Sequence, residues 1–285
     1  MTRASSRRRP RAARSKRGRR RGRAWSAWLP SAQRRRRWWT AFKRAPSLLQ
    51  FLLCVAAVGV LWIATNGVYQ VVRKPTELFF PVSGTLYKSP AETWAAYGTL
   101  FERHSTAIVT PELLAALAQV EGSGNPIVRT YWRWSWSTHP FEIYRPASSA
   151  VGMYQLTDGT FEEARRWCVH DHVVVADGPW NAWRSCWFNA LYARVIPSHA
   201  VEMTSADLDR KVRAALAGAG IAGASLEQQQ RLAAVIHLCG GGAGNVFARR
   251  GLRLAPGQRC GSHSAAEYVA RVDAMRAVFR RLRRQ

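Results

Sequence analysis

The stretch TPELLAALAQVEGSGNP, residues 110 to 126, places a single acid at the end of an apolar helix. Thr110 followed by Pro111 is typical of a helix start, with an N-cap residue and then proline at the first helical position. Glu121 lies four residues after Leu117, so it continues the apolar face of this helix. The carboxyl is therefore expected to point into the domain, where desolvation and the negative end of the helix dipole both favour its protonated form.

Charge is concentrated at the start of the chain. Of the 43 Lys and Arg residues in the 285-residue sequence, 18 lie in residues 1 to 44, which contain no acid, and they account for most of the formal net charge of +26. Such a segment cannot bury enough apolar surface to fold, so residues 1–45 are predicted to be a disordered, basic, cytoplasmic tail. The rest is only moderately basic. A nucleic-acid-linked role carried by the tail is a rival hypothesis, but nucleic acid is not expected as a partner.

An apolar segment without charged side chains follows, at residues 46–72. About 20 apolar residues span a bilayer, so the segment is predicted to be a transmembrane helix. The rival interpretation, a cleaved signal peptide, is disfavoured because the apolar part is too long and no cleavage site of small residues follows. The positive-inside rule then places the N-terminus in the cytoplasm and residues 73–285 outside. The predicted location is the bacterial inner membrane, crossed once, with a periplasmic domain.

Cysteine usage agrees with an exported domain. Cys54 lies in the apolar segment and is interpreted as a small filler. Four cysteines remain, and an even number in an oxidising compartment predicts two disulfides. Three pairings are possible, and local closure is favoured: Cys168 with Cys186 and Cys239 with Cys260.

Helix signals dominate the exported part. Residues 73–108 are predicted to be a juxtamembrane linker and a helix that begins at Ser89 and Pro90. Residues 109–285 are predicted to be a mainly α domain with a small irregular or β insertion, most of it within residues 126 to 145. Further predicted helices cover residues 160–167, about 180–195, 205–218, 225–238 and 264–283.

A second stretch, SSAVGMYQLTDGTF at residues 148 to 161, gives Glu121 a context. Together with Asn125 and Pro126, it resembles the lysozyme-like domain of soluble lytic transglycosylases. In that family a helix ends in a catalytic Glu-Ser, Asn-Pro follows, and a Gly-Leu-Met-Gln segment comes later. The resemblance covers residues 109 to 250 and implies a lysozyme-like fold.

The chain departs from the family pattern in three ways. Gly122 replaces the serine after the acid, with Ser123 next, and the insertion containing RTYWRWSWSTHPFEIY lengthens the spacing between the blocks. The third block aligns best with IHLCGGGAGNV, residues 236 to 246, which lacks the tyrosine that contacts the acid in the family. His237 and Tyr154 are both candidates to replace that tyrosine.

The resemblance implies a peptidoglycan lytic transglycosylase that cleaves the MurNAc-GlcNAc bond and forms a 1,6-anhydro product. Glu121 would act first as acid and then as base, without metal or cofactor. A muramidase would need a second carboxylate. Glu142 and Asp158 are candidates, although Asp158 is better interpreted as a helix cap. The residues expected to bind the glycan are Ser123, Gly152, Met153, Tyr154, Gln155 and His237.

The missing tyrosine and the tryptophans of the insertion each allow more than one interpretation. The missing tyrosine makes an inactive glycan-binding scaffold an alternative, and the resemblance suggests service to an envelope-spanning conjugation or secretion machine. Trp132, Trp134 and Trp136 alternate, so on an extended segment they share one face. That face could line a glycan groove or pack onto the core.

Overall fold

The computed structural model describes residues 31–176, 178 and 186–285. Most of the predicted disordered tail, residues 1 to 30, lies outside these ranges. Within them, residues of the tail form helix α1 (Ala32–Arg44), which is a departure from the prediction. The Ser31 side chain accepts from the backbone N–H of Arg34, which caps this helix, and basic residues in its last turn complement the helix dipole.

Helix α2 (Ser47–Arg73) coincides with the predicted apolar segment. It has 27 residues, of which an 18-residue stretch has a mean hydropathy of 2.3, and it is long and apolar enough to cross a membrane. The described residues divide into two compact units within this helix, between Ala64 and Thr65.

The second unit is mainly helical, as predicted. Its N-caps at Ser89 and Thr110 are those expected from the sequence, each accepting a hydrogen bond from the helix that it precedes. The helices of this unit are α3 (Phe80–Ser83), α4 (Pro90–Arg103), α5 (Pro111–Gly122), α6 (Asp158–Ala164), α7 (Pro197–Gly218), α8 (Leu226–Arg249) and α9 (Ala265–Leu282).

Within the described residues, strands occur only as three antiparallel pairs. The insertion forms β1 (Trp132–Trp134) paired with β2 (Tyr144–Pro146), as the sequence suggested. Two pairs were not predicted, because their strands are too short for a clear period: β3 (Trp167–His170) with β4 (Val173–Ala176), and β5 (Arg259–Cys260) with β6 (His263–Ser264).

Helix α5 lies at the centre of the core. Its residues from Leu113 to Ala118 are all fully buried, and α4, α7 and α9 pack against it. The last turn approaches the segment at Met153 so closely that a Cβ on Gly122 would lie 2.9 Å from the Cα of Met153. Position 122 therefore requires glycine, because α5 meets the segment at Met153 there.

Several helix boundaries differ from the sequence predictions. Thr157, not Asp158, caps α6, which begins at Asp158 and ends at Ala164. Helix α8 continues to Arg249 through a break at Gly240, where φ is 81°. Of the helix predicted at about 180–195, residues 180 to 185 lie outside the described ranges, and Trp187–Leu191 form a 3₁₀ helix instead.

The predicted disulfides are confirmed: Cys168 is bonded to Cys186 and Cys239 to Cys260. The first joins β3 to the segment before the 3₁₀ helix. The second joins α8, just before its break, to β5. Both pairs close short loops, which agrees with an oxidising compartment.

The disulfides are expected to stabilise the second unit. Their sequence separations are 18 and 21 residues. Loops of this size contribute about 3 kcal/mol each to the free energy of unfolding, so replacing both Cys239 and Cys260 by Ala should cost about that amount in chemical denaturation. Mass mapping without reduction should show two linked peptide pairs, and four free thiols would contradict the assignment.

Gly122→Ala should destabilise the domain by about 1–3 kcal/mol, because the added methyl group meets backbone atoms that cannot move aside. Gly159→Ala in α6 is the matched control, since nothing lies within 4 Å of a Cβ there. Alanine at that helical position should leave stability unchanged or raise it by up to about 1 kcal/mol. If both variants lose the same free energy of unfolding in chemical denaturation, the close approach of an added Cβ to Met153 does not destabilise the domain.

Candidate functional site

Glu121 lies in the last turn of α5, where the helix reaches solvent. Its side chain is 18% exposed, whereas the preceding apolar turns are fully buried. Ser123 ends the helix in the left-handed conformation, with φ of 47°, and its carbonyl accepts from the backbone N–H of Lys88. Ser123 therefore shapes the helix end that presents the acid.

Tyr268 of α9 is the direct partner of the acid. Its hydroxyl donates to Oε1 of Glu121 at 2.5 Å, and the tyrosine is only 2% exposed. Burial, reinforced by the carboxylate of Glu121, raises the pKa of Tyr268 well above its ordinary value. The hydroxyl therefore keeps its proton at neutral pH and remains a donor.

His237 of α8 is the second neighbour. Its Nε2 lies 3.6 Å from Oε1 of Glu121, and its side chain is 9% exposed. Of the two residues considered from the sequence as replacements for the missing tyrosine, the structure brings His237 to the acid. Tyr154 packs edge-on against the His237 ring, with centroids 6.5 Å apart. A tyrosine does contact the acid, but it is Tyr268 of α9. The sequence did not indicate this residue, so neither His237 nor Tyr154 is needed to replace it.

The segment from Gly152 to Gln155 packs against the end of α5 that carries Glu121. Gly152 has φ of 80°, and a Cβ there would lie 2.4 Å from the carbonyl oxygen of Arg194, so only glycine fits. Gln155, with φ of 48°, donates from Nε2 to the carbonyl of Gly152 at 3.0 Å. Met153 and Tyr154 are 0% and 1% exposed, so they pack beneath the acid and are not placed to touch a glycan, contrary to the expectation for them.

A cavity of about 240 Å³, lined by both polar and apolar side chains, lies beside His237. It is smaller than the roughly 300–1,000 Å³ of typical ligand pockets, so it suits one group of a larger ligand. Thr204 lines it, and the Oγ1 of this buried threonine has no hydrogen-bond partner among the described residues. The cavity is lined by Gln155, Leu156, Thr157, Thr160, Thr204, Asp207, Leu208, Lys211, Ile236, His237, Leu238 and Gly240.

The two carboxylates considered as second catalytic groups both have cationic partners. Glu142 pairs with Arg73 at 3.1 Å, and Asp158 pairs with Arg194 at 2.8 Å. Asp158 is also 69% exposed at its side chain. Ion pairs of this kind suit a structural role for both carboxylates.

No group of three or more His, Cys, Asp or Glu side chains within the described ranges could hold a metal ion. The histidines of the sequence WCVHDHVV do not form such a group. Cys168 is oxidised, and Nδ1 of His172 lies 2.9 Å from the carbonyl oxygen of Ser105.

No protein-family model matches this chain, and no curated protein matches it as a relative. The chemistry of the site rests on its own groups. These are an accessible carboxyl, a buried tyrosine that donates to it, a histidine beside it and a small cavity next to the histidine.

Tyr268→Phe should lower the free energy of unfolding by about 1–3 kcal/mol, because it leaves a largely buried carboxyl oxygen without its hydrogen-bond donor. Tyr154→Phe is the matched control, because the hydroxyl of this buried tyrosine has no partner among the described residues. Removing an unsatisfied hydroxyl should be neutral or stabilising. Chemical denaturation of both variants tests this, and equal losses would contradict the assigned bond.

Proposed function

We propose that this chain is a membrane-anchored lytic transglycosylase that cleaves the MurNAc-GlcNAc bond of peptidoglycan, with a lysozyme-like catalytic domain. The observation that carries the proposal is the placement of Glu121. It is a carboxyl at the end of a buried helix, held by the hydroxyl of Tyr268 and adjacent to His237, which in turn lines a small cavity. One positioned carboxyl is what this reaction needs.

The two contacts leave part of the carboxyl available. Tyr268 and His237 both approach Oε1, while Oε2 has no hydrogen-bond partner among the residues that the structure describes. Oε2 is then the oxygen that exchanges protons with the substrate, and Tyr268 is a positioning residue that keeps the carboxyl turned towards it.

In the proposed reaction the protonated Glu121 gives its proton to the glycosidic oxygen, and the bond from that oxygen to C1 of MurNAc breaks. The N-acetyl group of the substrate stabilises the cationic centre. The 6-hydroxyl oxygen then bonds to C1, and its proton returns to Glu121. No water is consumed, and the acid ends in its starting state.

The proposed location follows from α2 and the disulfides. Helix α2 would anchor the chain in the bacterial inner membrane, and the two disulfides favour a periplasmic position for residues 73–285. Service to a conjugation or secretion machine remains a prediction from the family resemblance.

Hydrolysis is the second candidate because another carboxyl borders the cavity that His237 lines. Asp207 lines it together with His237 and is 4% exposed. Burial raises the pKa of Asp207, although Lys211 lies 2.7 Å away and favours the anion. A muramidase would use Asp207 as the second carboxylate, so its activity should depend on Asp207 as strongly as on Glu121.

Product analysis of the full-length protein on purified peptidoglycan decides between these functions. Anhydro-muropeptides in the mass spectrum would support a transglycosylase, and reducing ends that disappear in Asp207→Asn would support a muramidase. Binding without products would support the scaffold and overturn both enzymatic proposals.

Glu121→Gln should lower the rate of anhydro-muropeptide release by about 10²–10⁴-fold, because general acid–base catalysis contributes that much and one residue serves both steps. Glycan binding should persist, since glutamine has nearly the same shape. Asp158→Asn is the matched control and should keep most activity. Near wild-type release by Glu121→Gln would remove the proposed mechanism, and similar losses in both variants would point to a two-carboxylate reaction.

A further inference from the structure

The aromatic hairpin, residues 131–146, packs on the last two turns of α2. The Asn66 side chain donates from Nδ2 to the carbonyl of Tyr144 at 2.7 Å, and Gln70 donates from Nε2 to the carbonyl of Phe141 at 2.6 Å. The two amides are 1% and 5% exposed. Backbone carbonyls of the hairpin therefore satisfy polar groups on an otherwise apolar helix.

Asn66 lies at the end of the part of α2 that is long enough to cross the lipid hydrocarbon core. It is the twentieth residue of α2. Helices rise 1.5 Å per residue, so about 20 residues cross the roughly 30 Å hydrocarbon core. Buried amides at this point indicate where the helix leaves lipid and enters protein. The hairpin bonded to Asn66 then lies at the level of the bilayer surface.

The hairpin exposes large aromatic side chains at this level. Tyr131, Trp134 and Trp136 are 74%, 69% and 106% exposed. The Trp134 ring is tilted against the Tyr144 ring, with centroids 4.8 Å apart, and the Tyr144 carbonyl accepts the hydrogen bond from Asn66. Tryptophan and tyrosine are enriched at the boundary between bilayer and water, where an amphipathic ring contacts both.

The charge of the hairpin suits anionic headgroups. Arg133 and Arg145 are directly opposed in the β1–β2 register, and like charges in that position repel each other. The carboxylate of Glu142 is shared between Arg145, at 3.6 Å, and Arg73, at 3.1 Å. A lipid phosphate at the hairpin would offset the remaining positive charge.

The hairpin is also held in a fixed orientation. The buried carboxylate of Glu77 accepts from Arg129 at 2.8 Å and from the Trp132 indole N–H at 2.9 Å. Lys74, next to the end of α2, donates to the carbonyl of Ala150 at 3.0 Å. The helix end, the hairpin and the start of the segment beneath Glu121 are therefore connected by buried polar contacts.

We propose that the aromatic hairpin lies in the headgroup region of the bilayer that α2 crosses, and that its partner is a phospholipid surface containing anionic headgroups. The contact holds Glu121 at a set height above the membrane. This inference rests on the membrane anchoring proposed above and is independent of the reaction at Glu121.

Depth-dependent fluorescence quenching tests the contact in the full-length protein. An environment-sensitive fluorophore is placed on Thr138→Cys in a Cys54→Ala background, which keeps all the hairpin aromatics. The protein is reconstituted into vesicles of phosphatidylcholine and phosphatidylglycerol whose acyl chains are brominated near the headgroup. Blue-shifted, quenched emission is expected. Leu226→Cys is the matched control, since it lies beside Thr110 at the opposite end of α5, and should stay unquenched.

A label on native Cys54, within α2, separates the two proposals. Quenching at Cys54 with none at position 138 would overturn the hairpin contact and leave the anchor intact. No quenching at Cys54 would overturn the anchor and the hairpin contact together. If soluble glycan fragments, and not brominated lipid, change the emission at position 138, the hairpin is a glycan surface and the inference is wrong.

Charge and aromatic variants test the chemistry of the contact. Trp136→Ser should reduce quenching at position 138. Arg133→Gln, or vesicles without phosphatidylglycerol, should lower the contact equilibrium about fivefold, the effect of one cation near an anionic surface. Quenching that is unchanged by all three would overturn the proposed role of aromatic and basic side chains.

Discussion

The burial of helix α5 is the constraint on which the rest of the structure depends. Every residue from Leu113 to Ala118 is fully buried, and burying a leucine side chain contributes about 1.5–3 kcal/mol. A carboxyl in the middle of such a helix would need a buried counter-charge. Glu121 avoids that cost because it lies in the last turn, where water and the hydroxyl of Tyr268 are both available. The core thus determines the position of Glu121.

The same helix end restricts what can lie beneath it. Gly122 has no room for a Cβ against the backbone of Met153, and Gly152 has none against the carbonyl of Arg194. These two glycines let three segments of backbone meet under the carboxyl. Met153 and Tyr154 then fill the space below as core residues. The segment from Gly152 to Gln155, which resembles a glycan-binding motif in sequence, therefore contributes core packing through Met153 and Tyr154.

Polar contacts extend this arrangement to the end of α2. Glu77 is buried and binds the hairpin through Arg129 and Trp132, while Lys74 reaches the carbonyls of Ser148 and Ala150. Breaking any of them would leave a buried polar group unsatisfied, at a cost of about 1–3 kcal/mol. The end of an apolar helix and the segment that supports the acid are consequently connected by buried polar contacts.

Much of this was determined by the sequence itself: the helix that ends at Glu121, the caps at Ser89 and Thr110, the apolar helix and the two disulfides. These features depend on residues within a few turns of one another, or on compartment and parity. Tyr268 could not be found in this way, because it lies 147 residues from Glu121 and is an ordinary apolar-face residue of α9. Packing also decided that Met153 and Tyr154 are buried and that Asn66 meets Tyr144. Such contacts arise only when distant helices share one core, and no local pattern encodes which side chains then meet.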